Sequence, residues 1–303
     1  MTTRRSKALW VTLAMVSGAL EPIMTKFGYR GDLQPIPLFF VRNLIAALVL
    51  LPIVLRAAEN WNSKSIKEIL PASLLLMLTG FCTLLALNYM SAVTVITVVT
   101  TTPAVVALIN QKMGRDRLAK HFWLGFVLCF VGVVMSLDFS TFTSNTAGLV
   151  AVLVAVFSSS IYRVKMEVLT DKYPPAWTSA VCFVLIGLVS VLLFGLKSAT
   201  SSSLPLPSLA SLPWCVGIGI AAALANVSFV TALNKVGSTR ISIISMLQRP
   251  LLIGFAAVAL QEQPTLIQLV GIILVVIGMN YAKVERVSET EGDLKIPVAQ
   301  TEP

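Results

Sequence analysis

Ten apolar runs of membrane-spanning length, joined by short polar links, restrict this chain more than any other feature. They lie at about 8–29, 35–57, 69–90, 93–111, 121–138, 146–168, 175–197, 212–234, 239–260 and 265–282. A transmembrane helix needs roughly 20 mostly apolar residues, so each run is read as one span. Only 12% of the residues are charged and 56% are apolar, against about 25% and 45–50% in soluble domains. A water-facing surface could not be covered with so little charge. The expected fold is therefore an all-α integral membrane protein of ten transmembrane helices. Between the third and fourth runs stand only Tyr89-Met90-Ser91-Ala92. One continuous helix there would overrun the bilayer twofold, so a tight turn is required.

Arg4, Arg5 and Lys7 precede the first run in the manner of a secretory signal. The run nevertheless continues past Glu21-Pro22 for a full span, and it is retained as the first transmembrane helix. Orientation follows from lysine and arginine in alternate links. With the N-terminus in the cytoplasm, that side collects Arg4, Arg5, Lys7, Arg56, Lys64, Lys67, Lys112, Arg115, Arg117, Lys120, Lys165, Lys172, Lys235, Lys283, Arg286 and Lys295. The other side collects Arg30 and Lys197. Both termini are expected in the cytoplasm, with the chain in the cell (inner) membrane. The longest link, 198–213, then lies outside.

The net charge of +9 does not point to a nucleic acid, because the basic residues sit in links and form no stripe. Cys82, Cys129, Cys182 and Cys215 all fall inside apolar runs and form no C-x-x-C pair, so they read as small core residues. The single histidine, His121, lies at a link. This inventory offers no metal site, no cofactor and no histidine-dependent catalysis. No glycine loop for ATP is present either.

The two halves resemble each other. Ala86-Leu87-Asn88 recurs as Ala232-Leu233-Asn234, each followed by a span with a mid-helix proline, Pro103 and Pro250. Next comes Gly125-x6-Gly132, matched by Gly271-x6-Gly278. A unit of five spans re-enters the membrane from the opposite side in its second copy, the inverted repeat that recurs in secondary transporters. The units are 1–138 and 139–283, and the polar, acidic stretch 284–303 reads as a disordered cytoplasmic tail.

The chain resembles an EamA-type member of the drug/metabolite transporter superfamily. The likeness rests on Phe39-Phe40-Val41-Arg42-Asn43-Leu44 and Ala86-Leu87-Asn88-Tyr89, and on the half-repeat endings 125–135 and Gln261-Glu262-Gln263-Pro264-Thr265 through 271–278. It departs from the family in Gly114-Arg115-Asp116-Arg117, where an acid and a small turn are common. The resemblance implies alternating access by two five-helix halves around a central cavity, and a small organic solute as substrate. It also implies that the fifth and tenth spans act as scaffold or as the surface of a homodimer.

Ionisable groups at bilayer depth are costly and mark pathways. Glu21 reads as the only acid within a span. Ahead of Pro22, it is either a proton-coupling carboxylate or a structural partner for a base such as Lys26. Arg249 sits near the middle of the ninth run, in Gln248-Arg249-Pro250, and needs an acid, carbonyls or a substrate anion. The matching place in the first half holds Thr100-Thr101-Thr102-Pro103. Arg42 either guides anions inward or reaches lipid phosphate. Arg163 and Arg240 are expected to snorkel to the cytoplasmic face. Asn88 and Asn234 end equivalent helices as caps, as links between helices or as substrate contacts.

The candidate substrate-binding set is thus Arg249, Gln248, Glu21, Arg42, Asn88 and Thr101, with Pro22, Pro103 and Pro250 as kinks. With one acid against two or three bases, the favoured function is secondary transport of a carboxylate-bearing or amino-acid-like metabolite. Export of cationic metabolites or drugs is the alternative. A channel would call for acid rings at the mouths, where the outer side has only Asp32, Asp138 and Glu262. Paired acids and a nucleophile motif are missing, so an enzyme is not expected.

Overall fold

The computed structural model describes residues 2–29, 35–90, 98–135, 145–200, 212–248 and 265–286, together with Val95 and Leu251. Its helices are α1 (Thr2–Tyr29), α2 (Pro35–Arg56), α3 (Ser63–Tyr89), α4 (Thr102–Lys112), α5 (Phe122–Met135), α6 (Thr146–Lys172), α7 (Pro175–Thr200), α8 (Leu212–Val236), α9 (Ser238–Ile244) and α10 (Leu266–Tyr281). Two short strands, β1 (Asp116–Leu118) and β2 (Val284–Arg286), complete the described chain.

By length and composition, the helices at Pro37–Arg56, Ser63–Thr83, Thr146–Lys172, Pro175–Leu193 and Leu212–Val236 are sufficient to cross a membrane. Shorter apolar helices cover Ser6–Leu20, Phe122–Met135 and Leu266–Tyr281. Large apolar side chains such as Leu48, Phe157, Leu192, Ile220 and Ile273 are exposed, whereas Ser160, Ser179, Ser228 and Thr239 are buried. In water such an outer face would be an adhesive patch; facing lipid it is the natural surface. The chain is a multi-pass membrane protein.

Capping sets the helix starts. Asn62 Oδ1 accepts from Ser65 N at 2.8 Å while Asn62 N donates to Ser65 Oγ at 3.2 Å. Thr265 and Gln268 form the same reciprocal pair ahead of α10, and Asn145 accepts from Ala147 N and Gly148 N ahead of α6. Each cap satisfies backbone donors that a helix end leaves open. The α3 cap explains why that helix begins six residues before its apolar run: the polar first turn is held by Asn62, not by burial. At the far end Met90 is extended (φ −135°, ψ 159°), so α3 ends there; Ser91 and Ala92 of the expected turn lie outside the described residues.

The helices pack in pairs: α1 along α8, α3 along α6, α2 along α7 and α5 along α10. Exchanging each helix for the one five places on leaves this pairing unchanged. One interior cluster runs through α1, α2, α6, α7 and α8, with Ala14, Ala46, Leu50, Met166, Trp177 and Val230 all buried. The repeated glycines lie between α5 and α10, where backbones meet. A Cβ on Gly132 would stand 2.5 Å from Gly271 O, and one on Gly278 would stand 2.6 Å from Cys129 N. Cys129 Sγ contacts Val275 O at 3.4 Å. The four cysteines are buried and unbridged.

Ordered chain continues into the segment expected to be a disordered tail. There, 284–286 forms β2, antiparallel to β1, with Asp116 opposite Arg286 and Arg117 opposite Glu285. Arg240 fastens this clasp, donating from Nε to Val284 O at 2.8 Å and from Nη2 to the same oxygen. The pairing tethers the segment just after α10 to the α4–α5 link of the first half. Arg240→Gln is expected to lower stability by about 1 kcal/mol, the net worth of one hydrogen bond at an exposed site, read as a small drop in the thermal midpoint of detergent-purified protein.

Candidate functional site

Polar side chains gather inside the bundle in two layers. One lies toward the end carrying Lys112, Lys120, Lys172 and Lys283. There α8 turns into α9 at Gly237, whose φ of +89° suits glycine and few other residues. The turn presents Ser238 to Glu167 of α6: Ser238 Oγ donates to Oε2 at 2.5 Å, and Ser238 N donates to it at 3.2 Å. Asn110 of α4 donates from Nδ2 to Ser238 Oγ (2.7 Å), Thr239 Oγ1 (2.9 Å) and Asp116 Oδ2 (3.2 Å). The carboxylate acceptor fixes which amide atom is nitrogen.

Asn110, Ser238 and Thr239 are 0% exposed and Glu167 is 1% exposed. Asn110 joins the two halves through neutral hydrogen bonds to Ser238 and Thr239, and within each half a charge-assisted bond, to Asp116 or to Glu167, adds to it. Around it, Arg115 pairs with Asp171 at 3.0 Å and Lys172 with Glu68 at 3.2 Å. Being exposed, those ion pairs add little. Asn234 Nδ2 donates to Thr170 O at 2.9 Å, an inter-helix link of the kind expected for it.

The second layer lies farther in. On α6 the exposed residues Val150, Leu153, Val154, Phe157 and Ile161 mark the lipid face. Arg163, two residues past Ile161, points about 200° away from it. Its guanidinium does not snorkel as expected. Instead Nη1 donates to Ser242 Oγ at 3.0 Å and Ser245 Oγ at 3.5 Å, and Cζ stands 4.8 Å from the Phe229 ring centroid. One position earlier, Tyr162 OH donates to Asn226 Oδ1 at 3.3 Å, and Ser179 Oγ donates to the same atom at 2.7 Å.

Of the residues expected to bind substrate, Gln248 is described and turned toward α1. Its Nε2 approaches Ala14 O at 3.5 Å and lies against Gly18, where any Cβ would collide with it. Thr101 donates to Val98 O at 2.7 Å and ends a turn, so its proton is used locally. Pro103 is buried at the second position of α4; it opens a new helix after the turn at Thr100 and Thr101 and does not kink a continuous one. Arg42, on α2, stands with Cζ 5.8 Å from the Phe39 ring centroid, a cation–π arrangement. Arg249 and Pro250 lie outside the described residues. So do the side chains of Glu21, Pro22, Lys26 and Asn88, whose backbones are within α1 and α3.

Glu21 is not the only acid within a span, because Glu167 is buried inside α6. The overlooked signal was the helical face itself: Ser160, Arg163, Glu167 and Thr170 follow one another at three- and four-residue spacing, opposite the exposed apolar stripe.

The sequence matches the EamA-like transporter family over residues 5–137 and again over 146–281. No curated protein matches it. Among solved structures, 28 chains match. One, described only as "Crystal structure of protein", has a TM-score of 0.77 at 17% identity and covers 91% of this chain and 97% of its own, which is a likeness of fold. Two matched segments account for both halves of the helical bundle, and the chain belongs to the EamA-like transporter family.

Proposed function

We propose that this chain is a secondary active transporter of a small, carboxylate-bearing or amino-acid-like metabolite, working by alternating access between two inverted five-helix repeats. Ten spans and a cytoplasmic basic end, with both termini on that side, complete the reading. The observation that carries it is the polar interior of an apolar bundle: Arg163 is held by hydroxyls of the second half, and toward the basic end Asn110 of the first half bonds Ser238 and Thr239 of the second. The family match over both halves and the pairing of each helix under a five-place exchange support the repeat. Substrate sites near the midplane between repeats are the rule for such architectures.

Arg249 and Glu21 remain proposed site residues. They follow Gln248 and Gly18, which touch, by one and three positions. In this reading Glu21 carries coupling protons, and the solute meets Arg249.

Counterflow in proteoliposomes tests the transporter reading. Vesicles loaded with an unlabelled organic acid or amino acid are expected to accumulate the labelled form, while protein-free vesicles do not. Accumulation of cationic solutes alone would reverse the charge assignment, and no accumulation of any solute would refute transport.

A further inference from the structure

We infer that Arg163, forked onto Ser242 and Ser245 and stacked on Phe229, is the subsite that receives the carboxylate of the transported solute. The inference rests on the transporter reading above and deepens it, because it assigns recognition to α6, α8 and α9.

A guanidinium within a transmembrane helix normally carries an acid partner or reaches water. Arg163 lies nine residues, roughly 13 Å of helix, from Lys172, on the face opposite the lipid stripe. Among the described residues no carboxylate lies within ion-pair distance of it. Glu167, one turn on along the same face, is directed to Ser238. The partners of Arg163 are two hydroxyls and an aromatic ring, all uncharged. They fix its orientation and, among the described residues, leave its charge without a carboxylate.

Both hydrogen bonds use Nη1. The Nε–Nη2 edge makes none among the described residues, and the residue is only half-buried. That edge has the parallel two-donor geometry which matches a carboxylate. Phe229 holds the plane of the guanidinium through its face, and Ser245 Oγ is itself anchored by donating to Ser242 O at 2.6 Å. Among the described residues Arg163 has only neutral partners, and its one positive charge matches one carboxylate.

Purified full-length protein in detergent is titrated with pyruvate, benzoate, L-phenylalanine and succinate, with the uncharged amides pyruvamide and benzamide, and with inorganic phosphate, binding being read by thermal stabilisation. At least one carboxylate is expected to stabilise the protein where its amide and phosphate do not. Arg163→Gln should weaken that binding by about 10–100-fold, the loss of a charged, two-point contact. Arg163→Lys should recover part of it, since the charge returns without the fork. Ser242→Ala keeps the cation and should weaken binding by less than Arg163→Gln, which keeps the test alive if the glutamine variant fails to fold.

Equal stabilisation by acid and amide, stabilisation by phosphate alone, no response to any carboxylate, or unchanged carboxylate binding in Arg163→Gln or Ser242→Ala would each overturn the subsite. Counterflow with the same preparation separates the two levels. Uptake of solutes without a carboxylate requirement removes the subsite and leaves the transporter, whereas no uptake of any solute removes the reading on which it rests.

Discussion

Gly278→Leu is expected to prevent recovery of monodisperse protein, or to lower its thermal midpoint far more than any surface change. The first side-chain atom alone would stand 2.6 Å from Cys129 N, 2.7 Å from Cys129 Sγ and 2.7 Å from Gly125 O. Two of these are backbone atoms of α5 and cannot rotate away. Overpacking against mobile side chains costs about 1–3 kcal/mol, so a clash with backbone should exceed about 3 kcal/mol. Such a loss is a large share of a total stability of about 5–15 kcal/mol. Small residues are what allow membrane helices to approach this closely. Gly195→Leu in α7 is the control, since a Cβ there meets nothing within 4 Å. It should be neutral or slightly stabilising because leucine is the better helix former. Fluorescence-detected size exclusion and thermal melts of the two variants check the contrast.

Asn110→Leu is expected to open the basic end of the bundle. The amide nitrogen lies within hydrogen-bond distance of Asp116, Ser238 and Thr239, its two protons shared among them. Its removal strips one buried carboxylate and two hydroxyls of a donor and places an apolar side chain beside them. Losing one charge-assisted bond, to Asp116, costs about 1.5–3 kcal/mol, which alone is roughly a tenfold to hundredfold shift toward an opened end. Among the described residues Asn110 Oδ1 meets no donor.

Much of this architecture was legible in the amino-acid order. The second apolar run, 35–57, became α2 at Pro35–Arg56. The paired glycine motifs became the α5–α10 contact, since a glycine spaced for one helical face announces close approach. Caps hid the start of α3, because Asn62 and Ser65 hold a turn whose sequence is polar. β2 was hidden for a different reason: three residues, Val284-Glu285-Arg286, carry no pattern until β1 is known to lie opposite.

The site was less legible. Arg163 looked like a residue near a helix end, and only the positions of α8 and α9 turn it inward onto Phe229, Ser242 and Ser245. Glu167 and Asn110 are separated by more than fifty residues, and their meeting through Ser238 depends on the Gly237 corner. Charge counting along one span cannot see a network assembled from three helices and a strand.

Alternation is most directly tested by labelling Ser245→Cys with a membrane-impermeant maleimide in oriented vesicles. Ser245 is half-buried beside Arg163, and the four native cysteines are buried, so background labelling is low. With Asn110 intact, the cysteine should react from the side opposite the basic end and stay protected from the basic side. With Asn110→Leu it should become reactive from the basic side. Reaction from the basic side with Asn110 intact, or a pattern that Asn110→Leu leaves unchanged, would contradict a passage sealed at that end.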